Sequence, residues 1–66
     1  MNNQRLLRLP QVEDLTALKR AHIYALARRG LFPKPIKIGA RASAWTETDV
    51  RAWIAARVEA AQDTPA

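Results

Sequence analysis

The sequence predicts a small, mainly α domain: three helices with one short β-hairpin between the second and the third. Three stretches carry that expectation. Leu15 to Arg29, LTALKRAHIYALARR, reads as the end of a short helix, a tight corner and a second helix closed by Gly30. Pro33 to Trp45 breaks helical periodicity with two prolines and then runs IKIG, GAR, ASAW, the pattern of two short strands around a turn. Thr46-Glu47-Thr48-Asp49 places a cap and early acids before an apolar repeat, the signature of a helix start.

Taken in order, residues 1 to 9 open polar and pass into RLLRL, where Leu7 and Leu9 alternate with Arg8 as in a short extended segment at a sheet edge or across the core. Arg5 and Arg8 could reach a phosphate from there, or simply face water. Pro10 suits the first turn of a helix over roughly 10 to 16, with Val12 and Leu15 on its inward edge. Thr16-Ala17-Leu18 makes the corner, and Leu18 is the apolar plug between two helices. The second helix spans about Lys19 to Arg29. Ile23, Leu26 and Ala27 form its inward stripe, and Ala21, Ala25 and Arg28 point away from it. His22 and Arg29 fall on one shoulder, Arg20 and Tyr24 on the other.

Gly30 stops that helix in a conformation with positive φ. Strands of about 35 to 39 and 42 to 45 follow, turning over Gly39 to Arg41. Ile36, Ile38 and Trp45 are expected to fasten the hairpin to the helices, because two strands alone are marginal. In the third helix Thr46 is the N-cap, Asp49 takes the capping-box position, and Glu47 pairs with Arg51. Val50, Trp53, Ile54, Arg57 and Val58 share one face, with the Arg57 charge carried out to water. The tail from Gln62 should fray. Residues 5 to 60 are thus expected to form a single domain, with 1 to 4 and 61 to 66 as loose ends.

Apolar residues make up 48% of the 66, but thirteen are alanines, so few large side chains are left for a core. The expected set is Leu15, Leu18, Ile23, Leu26, Leu31, Phe32, Ile36, Ile38, Trp45, Val50, Trp53, Ile54 and Val58. No cysteine and a single histidine exclude disulfides and thiolate metal sites and all but exclude a structural zinc. The acids are divided between Glu13/Asp14 and positions 47, 49, 59 and 63, and no glycine-rich phosphate loop or nucleophile motif occurs. No enzyme, cofactor, metal or small-molecule substrate is expected. The apolar runs are too short for a membrane span and no cleavable leader pattern opens the chain, so a cytoplasmic location is expected.

The net charge is +5, and its distribution matters more than its size. Between Leu15 and Thr46 no carboxylate occurs, while Lys19, Arg20, Arg28, Arg29, Lys34, Lys37 and Arg41 all do. Such a one-signed middle suits an anionic partner, and a helix set after a corner suits the DNA major groove. Double-stranded DNA is therefore the expected partner, with self-association or cooperative binding on it to lengthen a short footprint. Arg20, Ala21 and His22, near the start of the second helix, are the candidates for base contacts, Arg20 through a paired contact to guanine. Lys19, Tyr24, Arg28, Arg29, Lys34, Lys37 and Arg41 are the candidates for the backbone. Plainer readings stand beside these. The charge also serves solubility, Arg28 and Arg29 suit the helix dipole, His22 reads equally as an ordinary exposed histidine, and Tyr24 as core packing.

From Arg5 to about Val58 the sequence resembles the small AlpA-type phage and prophage regulators, which are related to excisionases and to the winged-helix domains of the MerR superfamily. The likeness lies in RLLRLPQV, in LTAL, in Ile23-Tyr24, in the run RRGLFPKPIKIG from Arg28 to Gly39, and in Trp45-Thr46-Glu47 leading to VRAWIAARV at 50 to 58. It implies a winged helix-turn-helix with the hairpin as wing, in a transcriptional regulator or excisionase-like factor of a mobile element. It also implies recognition residues at Arg20, Ala21, His22 and Tyr24, with Lys37 and Arg41 on the wing. The chain departs from the family at Ala17, where glycine is usual, at Lys19, where a capping serine is usual, at Ala25, where many members are basic, and at Ala44, often glycine. Thr16 capping from further back would start the second helix earlier. A protein-interaction adaptor or anti-repressor that keeps the fold is the alternative function, and RNA binding a weaker one.

Overall fold

The computed structural model describes residues 4–63. The chain runs β1 (Leu6–Leu7), α1 (Leu9–Thr16), α2 (Arg20–Arg28), β2 (Ile36–Gly39), β3 (Ala42–Thr46) and α3 (Glu47–Asp63). The three strands form one antiparallel sheet in the order β1-β3-β2. This is the three-helix arrangement with a small hairpin that the sequence predicts, with β1 added as a third strand. The loose ends expected at 1 to 4 and 61 to 66 fall largely outside the described residues, and α3 continues through Gln62 to Asp63.

The extended segment near the start is shorter than the Leu7/Leu9 alternation suggests. Leu6 pairs with Thr46 and Leu7 with Trp45, but Leu9 already belongs to α1. The Arg8 carbonyl accepts from the N–H groups of Gln11 and Val12 at 3.0 and 3.1 Å, and the Gln11 side chain accepts from the Arg8 N–H at 2.9 Å. Helix formation therefore consumes the backbone of Arg8 and leaves its side chain exposed.

The corner after α1 is tight because Ala17 adopts φ 61° and ψ 19°, the left-handed region. Thr16 donates its hydroxyl to the Val12 carbonyl (2.7 Å) and accepts from the Leu18 N–H (3.2 Å). It braces the turn but does not cap α2 from further back. That helix begins at Arg20, and Lys19 is an N-cap without a side-chain hydrogen bond. At the other end the Gly30 N–H reaches the Ala27 carbonyl (3.1 Å) and the Leu31 N–H the Leu26 carbonyl (2.8 Å). With Gly30 at φ 75° this is a Schellman closure.

Leu7, Val12, Ile23, Ala27, Phe32, Trp45 and Val50 make the core, ringed by half-buried Leu9, Leu15, Leu18, Tyr24, Leu26, Trp53 and Ile54. Four expected members lie outside it: Leu31, Ile36, Ile38 and Val58 are each 44–51% exposed. For the hairpin the cause is the place of β2 at the sheet edge, where all four of its residues are exposed whichever face they take. Ile36 pairs with Ala44 and Lys37 with Ser43, so alternation puts Lys37 and Ser43 on the face of Trp45 and Ile36 on the reverse. Ile38 sits at a register shift between Lys37 and Gly39. Trp45 and Ala44, both fully buried, fasten the hairpin through β3. Leu31 rides on the Gly30 turn while Phe32 takes the inward position, and Val58 lies beyond the packed part of α3.

In α3, the Thr46 hydroxyl accepts from the Asp49 N–H at 3.2 Å, and the Glu47 N–H donates to the Arg5 carbonyl at 2.7 Å. Val50 is buried and Trp53 and Ile54 half-buried, whereas every side chain from Ala55 to Gln62 is exposed. Arg57 does not run free into solvent, because its guanidinium stops 5.4 Å from the Trp53 ring centre.

An alanine in the left-handed region is strained by about 1–2 kcal/mol, partly offset by the lower unfolded-state entropy of alanine relative to glycine. Ala17→Gly is therefore expected to raise stability by about 0.5–1 kcal/mol in urea unfolding with an unchanged m-value. Trp45→Phe, which deletes the donor to the Pro33 carbonyl and part of the central ring, should lower it by about 1–3 kcal/mol.

Candidate nucleic-acid interface

The basic residues of α2 divide around Tyr24. At about 100° per residue, Arg20 lies one turn before Tyr24 and Arg28 one turn after it on the same shoulder, with Ala21 beside them. His22 and Arg29 fall on the opposite shoulder with Leu26. Arg20, Ala21, His22, Arg28 and Arg29 are all exposed, and none is covered by α3.

Tyr24 is half-buried, its ring 6.0 Å from Trp45 at an interplanar angle of 51°. Two open hollows meet at this residue. One, of about 450 Å³, is lined by Tyr24, Ala27, Arg28, Lys34 and Pro35. The other, of about 440 Å³, is lined by Arg8, Leu9, Pro10, Tyr24, Arg41 and Ser43. The start of α1, the middle of α2 and the hairpin turn thus border two hollows that share Tyr24, and no carboxylate lines either. Lys37 adjoins the second of them through its pairing with Ser43, and its Nζ lies 3.5 Å from the Ala40 carbonyl oxygen.

Two of the candidate positions stand apart. Lys19 lines another hollow with Pro10, Glu13, Asp14, Ala17 and Leu18, which shares Pro10 with the Arg8–Arg41 hollow but carries two carboxylates. Arg29 is the C-cap of α2 and lines neither hollow at Tyr24. Arg8, which the sequence offers as able to reach a phosphate but does not place among the candidate site residues, lines the second hollow at Tyr24. What brings it in is the pairing of β1 with β3, a long-range contact with no local signature.

The remaining charges are sorted elsewhere. Glu47 receives Arg51 at 2.9 Å and Arg5 at 3.8 Å, and a further hollow there is lined by Arg5, Asp14, Glu47 and Arg51 among others. All six acids fall on α1 or α3. Among the described residues no group of three or more His, Cys, Asp or Glu side chains could hold a metal ion, and no helix is long and apolar enough to cross a membrane.

Residues 5–58 match the family described as prophage CP4-57 regulatory protein (AlpA). The chain belongs to the AlpA family. It is also 40% identical over 58 residues to the uncharacterized protein ORF88 of Enterobacteria phage P4, covering 88% of this chain and 66% of that protein. The chain thus spans just under two thirds of the length of this curated relative. AlpA membership makes this a phage- or prophage-type regulatory protein and not an enzyme.

Against the AlpA pattern, the departures now have locations. Ala17 is the strained corner itself. Ala44 is fully buried, so a methyl group fills the place where glycine is common. Ala25 is half-buried on the outer side of α2, where a basic side chain would extend the charged surface. The Glu47 pairs are mostly solvent-exposed on their arginine side and worth little individually. Arg51→Ala should therefore change the unfolding free energy by less than about 1 kcal/mol, in a salt-sensitive way measurable by urea titration at two ionic strengths.

Proposed function

We propose that the protein binds double-stranded DNA sequence-specifically, as a small transcriptional regulator or excisionase-like factor of a mobile element. In this reading α2 enters the major groove and the hairpin is the wing beside it. Arg20, Ala21 and His22 meet base edges. Tyr24, Arg28, Lys34, Lys37 and Arg41 lie along the backbone, with Lys19 and Arg29 at the margins of the footprint. Such a protein works in the cytoplasm at the nucleoid, and cooperative binding or self-association on DNA compensates for the short reach of one module.

The observation that supports this best is the convergence of Arg28, Lys34 and Arg41 around Tyr24, on the shoulder that also carries Arg20, while the acids lie on α1 and α3. A duplex lying along that side meets positive charge from two elements and no carboxylate from either. Phosphate contacts of this kind fix register, and base contacts then select sequence.

A protein-interaction role draws on a different observation, the exposure of Leu31, Ile36 and Ile38. Phe32, with 4% exposure, is unavailable to such a partner. A complex through these side chains would be insensitive to salt.

Anisotropy titration against the DNA flanking the gene, at two salt concentrations, tests the proposal. Specific binding that weakens steeply with salt is expected. Arg20→Ala should cost about 1–3 kcal/mol on the preferred site and much less on random duplex, whereas Arg28→Ala should weaken both alike. A folded protein with no duplex binding at low salt refutes it.

A further inference from the structure

We infer that the hollow between the start of α1 and the hairpin turn is a phosphodiester clamp, in which Arg8 and Arg41 grip one backbone phosphate from two sides. This deepens the DNA-binding reading and rests on it. Arg8 leads into α1 and Arg41 sits in the turn between β2 and β3, yet both line one hollow with Leu9, Pro10, Tyr24 and Ser43. No carboxylate lines it, and neither arginine has an ion pair among the described residues, whereas Arg5 and Arg51 share Glu47. Like charges facing one open hollow repel each other, and an anion between them turns that repulsion into two attractions.

The chemistry of the lining favours a phosphate over a carboxylate-bearing peptide. Two guanidinium groups offer forked donors, and the hydroxyls of Tyr24 and Ser43 offer two more from the floor and the wing. That donor set suits an anion with several acceptor oxygens. The first residues of α1 also border the hollow, adding the positive end of its dipole. Because the Arg8 backbone is committed to starting α1, its side chain springs from a fixed point. The clamp therefore sets the distance between wing and α1 along one strand, a registration that Arg41 on a hairpin turn could not supply alone.

Arg8→Gln keeps the backbone bonds that start α1, so the variant is expected to melt like the parent. In duplex titrations with the full chain it should bind about 3- to 10-fold more weakly, equally on preferred and random DNA. The slope of log K against log salt should shrink by less than about 0.9, because Arg41 still faces the shared phosphate, and by about 0.9 only when both arginines are replaced. Arg8→Lys should restore that slope but not the full affinity, since an ammonium lacks the fork. Combined with Arg41→Gln, the loss should be smaller than the product of the two single losses, because both arginines act on the same phosphate. If the parent binds duplex and Arg8→Gln leaves affinity and slope unchanged, the clamp is wrong and the DNA-binding reading stands. A loss confined to the preferred sequence also overturns the clamp, since it would mean a base contact. A folded parent that binds no duplex overturns both.

Discussion

Two indole N–H groups fix the geometry on which the surface depends. Trp45 donates to the Pro33 carbonyl at 2.8 Å and Trp53 to the Leu31 carbonyl at 2.7 Å. The segment between them carries α2 into the hairpin. With prolines at 33 and 35 it has few N–H groups of its own to anchor it. Each indole also packs against a ring: Tyr24 meets Trp45, and Phe32 meets Trp53 at 4.8 Å, close to edge-on. One tryptophan comes from the sheet and the other from α3, so the segment is held from both sides. Without those anchors the hairpin would be free to swing relative to α2, and the hollows flanking Tyr24 would have no fixed shape.

Charge sorting is the second constraint. Glu47 takes up the two arginines nearest the α1–α3 side and leaves those of α2 and the hairpin uncompensated. A single carboxylate at the start of α3 thus does two jobs: it favours the helix dipole and confines positive potential to the opposite elements. The molecule has a charged side because its acids are in α1 and α3, not because its total charge is large.

Much of this was legible in local chemistry. The Gly30 stop, the Thr46 cap, the Glu47–Arg51 pair and the hairpin turn each depend on a few neighbouring residues, and each lies where their side-chain chemistry puts it. What local chemistry could not give was phase and long-range pairing. IKIG shows that Ile36 and Lys37 face opposite ways, but only the strand order reveals that β2 is the edge of the sheet. All four of its residues are exposed, so neither face of the strand contributes to the core. For a related reason, Arg8 could be read only as an arginine able to reach a phosphate, with no neighbours assigned. Its neighbours in the hollow come from α2 and the hairpin, brought there by a strand only two residues long.

The uneven packing of α3 has a dynamic consequence. Its first turns are nailed down by Val50 and Trp53, while the turns beyond Ala55 bury no side chain of their own up to Gln62. Amides near that far end should exchange with solvent faster than those near Val50, since the side chains from Ala55 to Gln62 are all exposed. No residue of α3 lines the hollows at Tyr24, so the outer length of that helix is where added sequence or a fused tag would be tolerated with least disturbance.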